Sequence, residues 1–220
     1  MSRSVKSVLL ATAMLVNIAG TAQASIIVSE VDPSSSGSGT VAADWFELTN
    51  TGLSAVNITG WKVDDNSNSF ASSLALLGVG SIAAGQSVIF AETANLASTQ
   101  AAFVNAWFGG IAPAGFTMGS YSGSGIGLST AGDAVNIYDA AGTLQANVTF
   151  GAATSGFTFD NAAGLTGAIS QLSAAGVNGA FVGSSDGRIG SPGIVPVPAA
   201  AWLLGSAFGV LGLIRRRHAV

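Results

Sequence analysis

The chain has 220 residues, thirty glycines, no cysteine and a formal charge of −4. Without thiols it has no disulfides, no thiol nucleophile and no cysteine-ligated metal. Five of its seven basic residues lie at the two ends; residues 25–195 keep only Lys62 and Arg188 against eleven acids, a net of −9, which excludes the basic surface that nucleic-acid binding requires.

Residues 1–24 carry the three parts of a secretory signal peptide: basic Arg3 and Lys6, an apolar stretch over 8–19, and the small-x-small site Ala22-Gln23-Ala24, which predicts a mature chain starting at Ser25. The apolar stretch, about 12 residues, is short of the roughly 20 needed to span a bilayer, which disfavours an N-terminal anchor. The partners this implies are the Sec translocon and signal peptidase.

From 25 to 193 short apolar bursts alternate with Gly, Asn and Asp turns, the pattern of one β-rich domain. Ile26-Ile27-Val28-Ser29-Glu30-Val31 predicts a first strand, followed by a Ser/Gly loop. Asp44-Trp45-Phe46-Glu47-Leu48-Thr49-Asn50 predicts a second, with Trp45, Glu47 and Thr49 on one face and Phe46 and Leu48 on the other. Residues 56–63 predict a third strand with a bulge at Gly60, and 70–77 a fourth. A tight turn then feeds a strand over 82–91. Asn95 caps a predicted helix over 96–108, whose Leu96, Phe103 and Trp107 fall near helical spacing and so pack on the sheet. Residues 126–128, 134–138 and 144–150 follow as strands, the last two joined by an Asp139-Ala140-Ala141-Gly142 hairpin turn. Residues 157–159 and 180–182 are short β candidates. The fold class these elements predict is all-β, a β-sandwich with one short helix.

The chain closes with Pro196-Val197-Pro198, an apolar run over 199–214, and Arg215, Arg216 and Arg217. An uncharged run ended by a basic cluster predicts a transmembrane helix over about 197–214 with the arginines in the cytoplasm and the domain outside.

Five pieces of the domain resemble, in order, the lamin-tail domain, an immunoglobulin-like β-sandwich: the 27–31 strand, the 44–50 strand, Asn57-Ile58-Thr59-Gly60-Trp61, the 82–89 turn and strand, and residues 128–139. The ending Gly187-Arg188-Ile189-Gly190-Ser191-Pro192-Gly193 is similar to the Ser/Thr-Pro-Gly close of bacterial versions. The insertion over 91–125 exceeds what a minimal domain of this kind needs. The tail over 194–220 resembles a PEP-CTERM sorting signal, with Pro196 and Pro198 flanking Val197 where the usual acid stands. That resemblance implies a Gram-negative envelope, an exosortase-type sorting enzyme as partner, and anchoring at the inner membrane or sorting to the cell surface or extracellular matrix.

Candidate chemistry within the domain rests on carboxylates, because His218 lies beyond the apolar run and no serine has a histidine partner. Glu30 and Glu47 approach each other if the first two strands are neighbours, and paired carboxyls can hydrolyse glycosides; a satisfied structural role is the commoner outcome. Asp64, Asp65, Asn66 and Asn68 share one turn and offer oxygens to calcium, but the spacing is not that of an EF-hand loop. Trp45, Trp61 and Trp107 read as core or rim aromatics rather than a glycan platform. The expected protein is therefore non-catalytic, without catalytic, cofactor or metal residues, its assignable sites being the processing residues Ala22, Ala24 and Ser25 and the sorting residues Pro196, Pro198, Arg215, Arg216 and Arg217. A glycan- or protein-binding module, with a glycan or matrix polymer as partner, is the alternative; a secreted hydrolase or accessory domain is the third.

Overall fold

The computed structural model describes residues 26–33, 41–123, 126–185 and 187–193. Fourteen strands and one helix lie among them: β1 (Ile26–Asp32), β2 (Trp45–Asn50), β3 (Val56–Asn57), β4 (Lys62–Asp64), β5 (Leu74–Ala75), β6 (Ser81–Ile82), β7 (Ser87–Glu92), α1 (Leu96–Phe108), β8 (Met118–Tyr121), β9 (Asp133–Tyr138), β10 (Leu144–Phe150), β11 (Phe159–Asp160), β12 (Gly167–Ile169), β13 (Phe181–Val182) and β14 (Ile189–Gly190). Two five-stranded sheets form the sandwich, ordered β11-β1-β2-β7-β8 and β12-β10-β9-β4-β5; β13–β14 and β3–β6 make two-stranded ladders beside them.

Period-two alternation builds the interior. Val28, Val31, Phe46, Leu48, Val88 and Phe90 of the first sheet face Val63, Val135, Ile137, Val148 and Phe150 of the second in one apolar cluster. The first sheet is also covered on its other face. There Trp45, Ile89 and Ala91 meet Phe103, Ala106 and Trp107 of α1. Trp45 takes both helix aromatics edge-on, at 5.4 Å from Phe103 and 5.9 Å from Trp107, geometry that suits the quadrupoles of the rings. A 13-residue helix is marginal alone in water; this aromatic contact is what holds it.

The helix begins and ends where its sequence dictates. The Asn95 side chain accepts from the Ser98 N–H, and Gly109 takes the left-handed conformation (φ 66°) that closes the last turn. Its purpose in the topology explains the long 91–125 segment: β7 and β8 run parallel, and parallel neighbours need a crossover rather than a hairpin.

Several expected elements change. Residues 56–63 form two strands in different ladders, β3 with β6 and β4 with β9. Gly60 makes a turn rather than a bulge, with the Trp61 N–H donating to the Ile58 carbonyl and φ of 78° at the glycine. Of 70–77 only Leu74–Ala75 is a strand, because turns through Ser69 and Phe70 precede it, and Leu77 makes a single antiparallel bridge to Ser120. Residues 126–128 form no strand, although Ile126 and Leu128 enter the core. Within 157–159 only Phe159 is in a strand, β11, which runs on to Asp160. Strands β6, β8, β12 and β14 were not expected. The predicted signal peptide and transmembrane helix lie outside the described residues. Among the described residues no helix is long and apolar enough to cross a membrane.

Candidate functional site: a buried carboxyl pair under a C-terminal strap

In β1, Val28 and Val31 both enter the core although they are three residues apart. Strict alternation forbids this. The register shift between Val28 and Glu30 resolves it: a bulge absorbs Ser29, so that Glu30 stands directly opposite Glu47 of β2. Ser29 and Glu30 thereby join Glu47, Thr49 and Ser87 in a polar group. Ser29 donates to Glu47 Oε1 at 2.7 Å, and the Ser29, Thr49 and Ser87 hydroxyls are linked in 2.7 Å steps.

Both glutamates are shut away from water, Glu30 at 0% and Glu47 at 1% exposure. Their cover is the chain's own C-terminal part, Thr158 together with a strap over residues 188–193. The Thr158 hydroxyl donates to Glu30 Oε1. The Ser191 N–H donates to the same oxygen at 2.8 Å, and the Ser191 hydroxyl to Oε2 at 3.2 Å. The Gly193 N–H donates to Glu47 Oε2 at 2.6 Å. All four carboxyl oxygens thus accept at least one hydrogen bond from the protein. Arg188 pairs with Asp32 at the end of β1. Gly190 is obligatory here: a Cβ on it would lie 2.7 Å from Glu30 Oε1 and 2.8 Å from the Trp107 ring.

Burial, and next the charge of Glu47, pushes the Glu30 carboxyl well above the usual range. Burial also pushes Glu47 up to about 7, against the opposing hydrogen bonds from Ser29, Gly193, Ser87 and Thr49. Two carboxylates confined side by side cannot both ionise cheaply, so the pair retains a proton. Such a pair has the proton inventory for acid–base work, but its oxygens face protein donors and not an open cleft.

The acidic turn is organised differently. Asp64 is fully buried; its carboxylate accepts from the Ser67 hydroxyl (2.7 Å), the Ser69 N–H (2.7 Å) and the Ser72 hydroxyl (3.1 Å). Asp65 accepts from the Ser67 N–H, and Asn68 Oδ1 from the Tyr138 hydroxyl. Among the described residues no three His, Cys, Asp or Glu side chains group as metal ligands do. Trp45, Trp61 and Trp107 are buried, so none offers an open stacking face. The residues Ala22, Ala24, Ser25, Pro196, Pro198, Arg215, Arg216 and Arg217 lie outside the described residues.

Sequence reasoning put Glu30 beside Glu47 conditionally and missed what closes over them: Thr158, Arg188, Ser191 and Gly193. One local signal was present. The i, i+3 spacing of Val28 and Val31 within a strand announces a bulge, and the bulge aims Glu30 at the face of the sheet opposite those two valines.

Two packed sheets with one crossover helix define a β-sandwich of the immunoglobulin-like class. The chain belongs to the lamin tail domain family, whose model matches residues 19–152, more than half of its length. The match ends just after β10, so the strap and β11–β14 lie beyond it. No curated protein matches the chain.

Proposed function

We propose that this chain is an exported, non-catalytic β-sandwich of a Gram-negative envelope, tethered at the membrane or sorted to the surface by its tail, with an adhesive or structural role in the matrix outside the cell. The observation that carries the non-catalytic part is the saturation of the Glu30–Glu47 pair by Ser29, Thr158, Ser191 and Gly193. A substrate would have to displace the domain's own closing segment to reach either carboxyl. Export is supported by the signal-peptide pattern ending at Ala22-Gln23-Ala24, by the Pro196-Val197-Pro198 tail with its Arg215–Arg216–Arg217 end, and by the acidity of everything between them. The Sec translocon, signal peptidase and an exosortase-type enzyme are the partners of that route.

Mass spectrometry of the mature protein tests the route. Termini at Ser25 and near Pro198 support both cuts; a retained Met1 sinks export by cleavage, and a retained 215–220 segment leaves a single-span anchor. Protease digestion of intact cells then places the domain, and a protected periplasmic domain removes the surface role.

One cavity favours a second reading, a small binding module for a neutral glycan. It measures about 210 Å3, small for a ligand pocket, and is lined by Asp160, Leu165, Ile169, Ser170, Gln171 and Asn178; a sugar there would share the Gln171 and Asn178 amides with Asp160, to which both donate. Chemical-shift perturbation with a panel of monosaccharides checks it; perturbations absent from Gln171 and Asn178 remove this reading.

A further inference from the structure

We propose that the loop over 109–116, with the aromatic rings beside it, is a membrane-contact face that seats in the headgroup layer of the bilayer holding the tail. This rests on the reading of 199–214 as a membrane span and adds which side of the sandwich lies on the lipid.

Three observations support it. First, the nine residues Phe108-Gly109-Gly110-Ile111-Ala112-Pro113-Ala114-Gly115-Phe116 carry no polar side-chain atom, whereas a surface loop is ordinarily polar. Ile111 is 82% exposed, and Ala112, Pro113 and Ala114 are exposed with it. Leu53, Leu144, Leu165 and Val177 are exposed too, but each stands singly between polar or glycine neighbours and needs no partner. Rings back the loop: Phe116 lies 5.4 Å from Phe108, and Phe108 lies 5.8 Å from Phe181, all three half-buried. Its ends are fixed, the Gly110 N–H donating to the Val104 carbonyl and the Phe116 N–H to the Pro113 carbonyl.

Second, the chain leaves the domain beside this loop. Gly193 docks on the outer face of the first sheet, and a Cβ on it would lie 3.3 Å from the Phe116 ring. The apolar run begins six residues later, at Ala199. Fully extended, that link spans roughly 20 Å, against a width of roughly 40 Å for a domain of this size. A tail in the bilayer therefore holds the Gly193 side of the sandwich, and not the second sheet, next to the lipid. Third, the charge is placed to allow it. Residues 25–195 carry a net −9, yet the forty residues from Thr93 to Gly132 contain no Asp, Glu, Lys or Arg. A charged side chain is costly to move into lipid, and this stretch has none to move. An apolar loop without a basic cluster fits a zwitterionic surface rather than an anionic one.

The test uses the full chain, which has no cysteine of its own. Ile111→Cys, Thr149→Cys and Ala207→Cys are each labelled with an environment-sensitive fluorophore and reconstituted in phosphatidylcholine vesicles containing doxyl-labelled phosphatidylcholine. Thr149 is exposed on the second sheet, and Ala207 lies in the tail. Lipid quenching of the Ile111 probe is expected to exceed that of the Thr149 probe roughly threefold or more, as for a group about 5–10 Å into the headgroup boundary. Adding Ile111→Asp to a protein labelled at Ala114→Cys should cut the Ala114 quenching several-fold, because the charge resists entry. Ile111 quenched no more than Thr149 overturns the proposal. The Ala207 probe reports the anchor separately: quenched, it keeps the membrane span while the face alone falls; unquenched, it removes the span as well. Quenching at Ile111 without quenching at Ala207 supports the face and sinks the span. An Ile111 probe shielded from aqueous iodide but not quenched by lipid marks a protein, such as a second copy, as the occupant and overturns the proposal. So does Ala114 quenching unchanged by Ile111→Asp, since the tether alone would then account for the proximity.

Discussion

Glu30 and Glu47 stand directly opposite each other across the β1–β2 ladder, and neither carboxyl touches water. In most sheets a like-charged pair in register is destabilising. Here it is tolerated because the pair retains a proton and because hydroxyls and backbone amides from four other residues supply donors to all four oxygens.

Global stability follows the same pair. Both carboxyls are raised in the folded state, so their contribution is fully present below the unfolded value near 4.5 and is lost as pH climbs through the folded value, about 7 for Glu47. The urea midpoint should thus be higher at about pH 5 than at about pH 8, by stability on the order of 3 kcal/mol for a change of this size. Asp139 runs the other way, held low by Thr143 and Ala141 N–H groups, but it acts below its unfolded value and outside this window. A midpoint that rises with pH contradicts the assignment of Glu47.

Substitution at Glu47 separates charge from shape. Glu47→Gln keeps an acceptor for the Gly193 N–H and can donate to the Ser29 hydroxyl, which is free to reverse. It should flatten the pH dependence and leave the protein more stable than wild type at about pH 8. Glu47→Ala leaves the Ser29 hydroxyl and the Gly193 amide without that acceptor, and should cost about 1–3 kcal/mol at about pH 5, falling towards about pH 8 as the wild type loses its own Glu47 contribution. Paired urea titrations of the two variants measure both effects.

The strap also depends on one missing side chain. Gly190→Ala sets a methyl 2.7 Å from Glu30 Oε1, 2.8 Å from the Trp107 ring and 3.0 Å from the Thr158 methyl. None of these is a free surface group, so overpacking should cost about 1–3 kcal/mol. Denaturation monitored by tryptophan fluorescence reports it directly, because Trp107 is one of the groups displaced. A neutral result means that the strap is not seated as described.

What was legible in the sequence is what local rules govern. Alternation around Trp45, Phe46 and Leu48 placed β2 and both its faces, and Asn95 and Gly109 bounded α1. The hairpin through Asp139 and Gly142 lies where its turn residues put it, with Asp139 accepting from the Ala141 and Thr143 amides. Two failures are local, the turn at Gly60 and the turns through Ser69 and Phe70; the others are non-local. β14 is two residues long and exists only because Phe181 and Val182 lie alongside it. β8 depends on a helix to bring it parallel to β7. The acid pair was visible as two glutamates on adjacent strands, but the donors to Glu30 come from 128 to 161 residues further along the chain, a distance over which no periodicity speaks.

The Asp64 turn supplies a prediction in which metal and protein donors compete. Its oxygens already accept from Ser67, Ser69 and Ser72, so a calcium ion would have to break those bonds to bind. Millimolar calcium and a chelator should therefore give the same melting temperature. Asp64→Ala should instead cost about 1–3 kcal/mol, because the Ser69 amide and two hydroxyls lose their shared acceptor, and the loss should be the same with and without calcium. Calcium that raises the melting temperature of the wild type but not of Asp64→Ala would show that the ion, and not the serines, is the turn's proper partner.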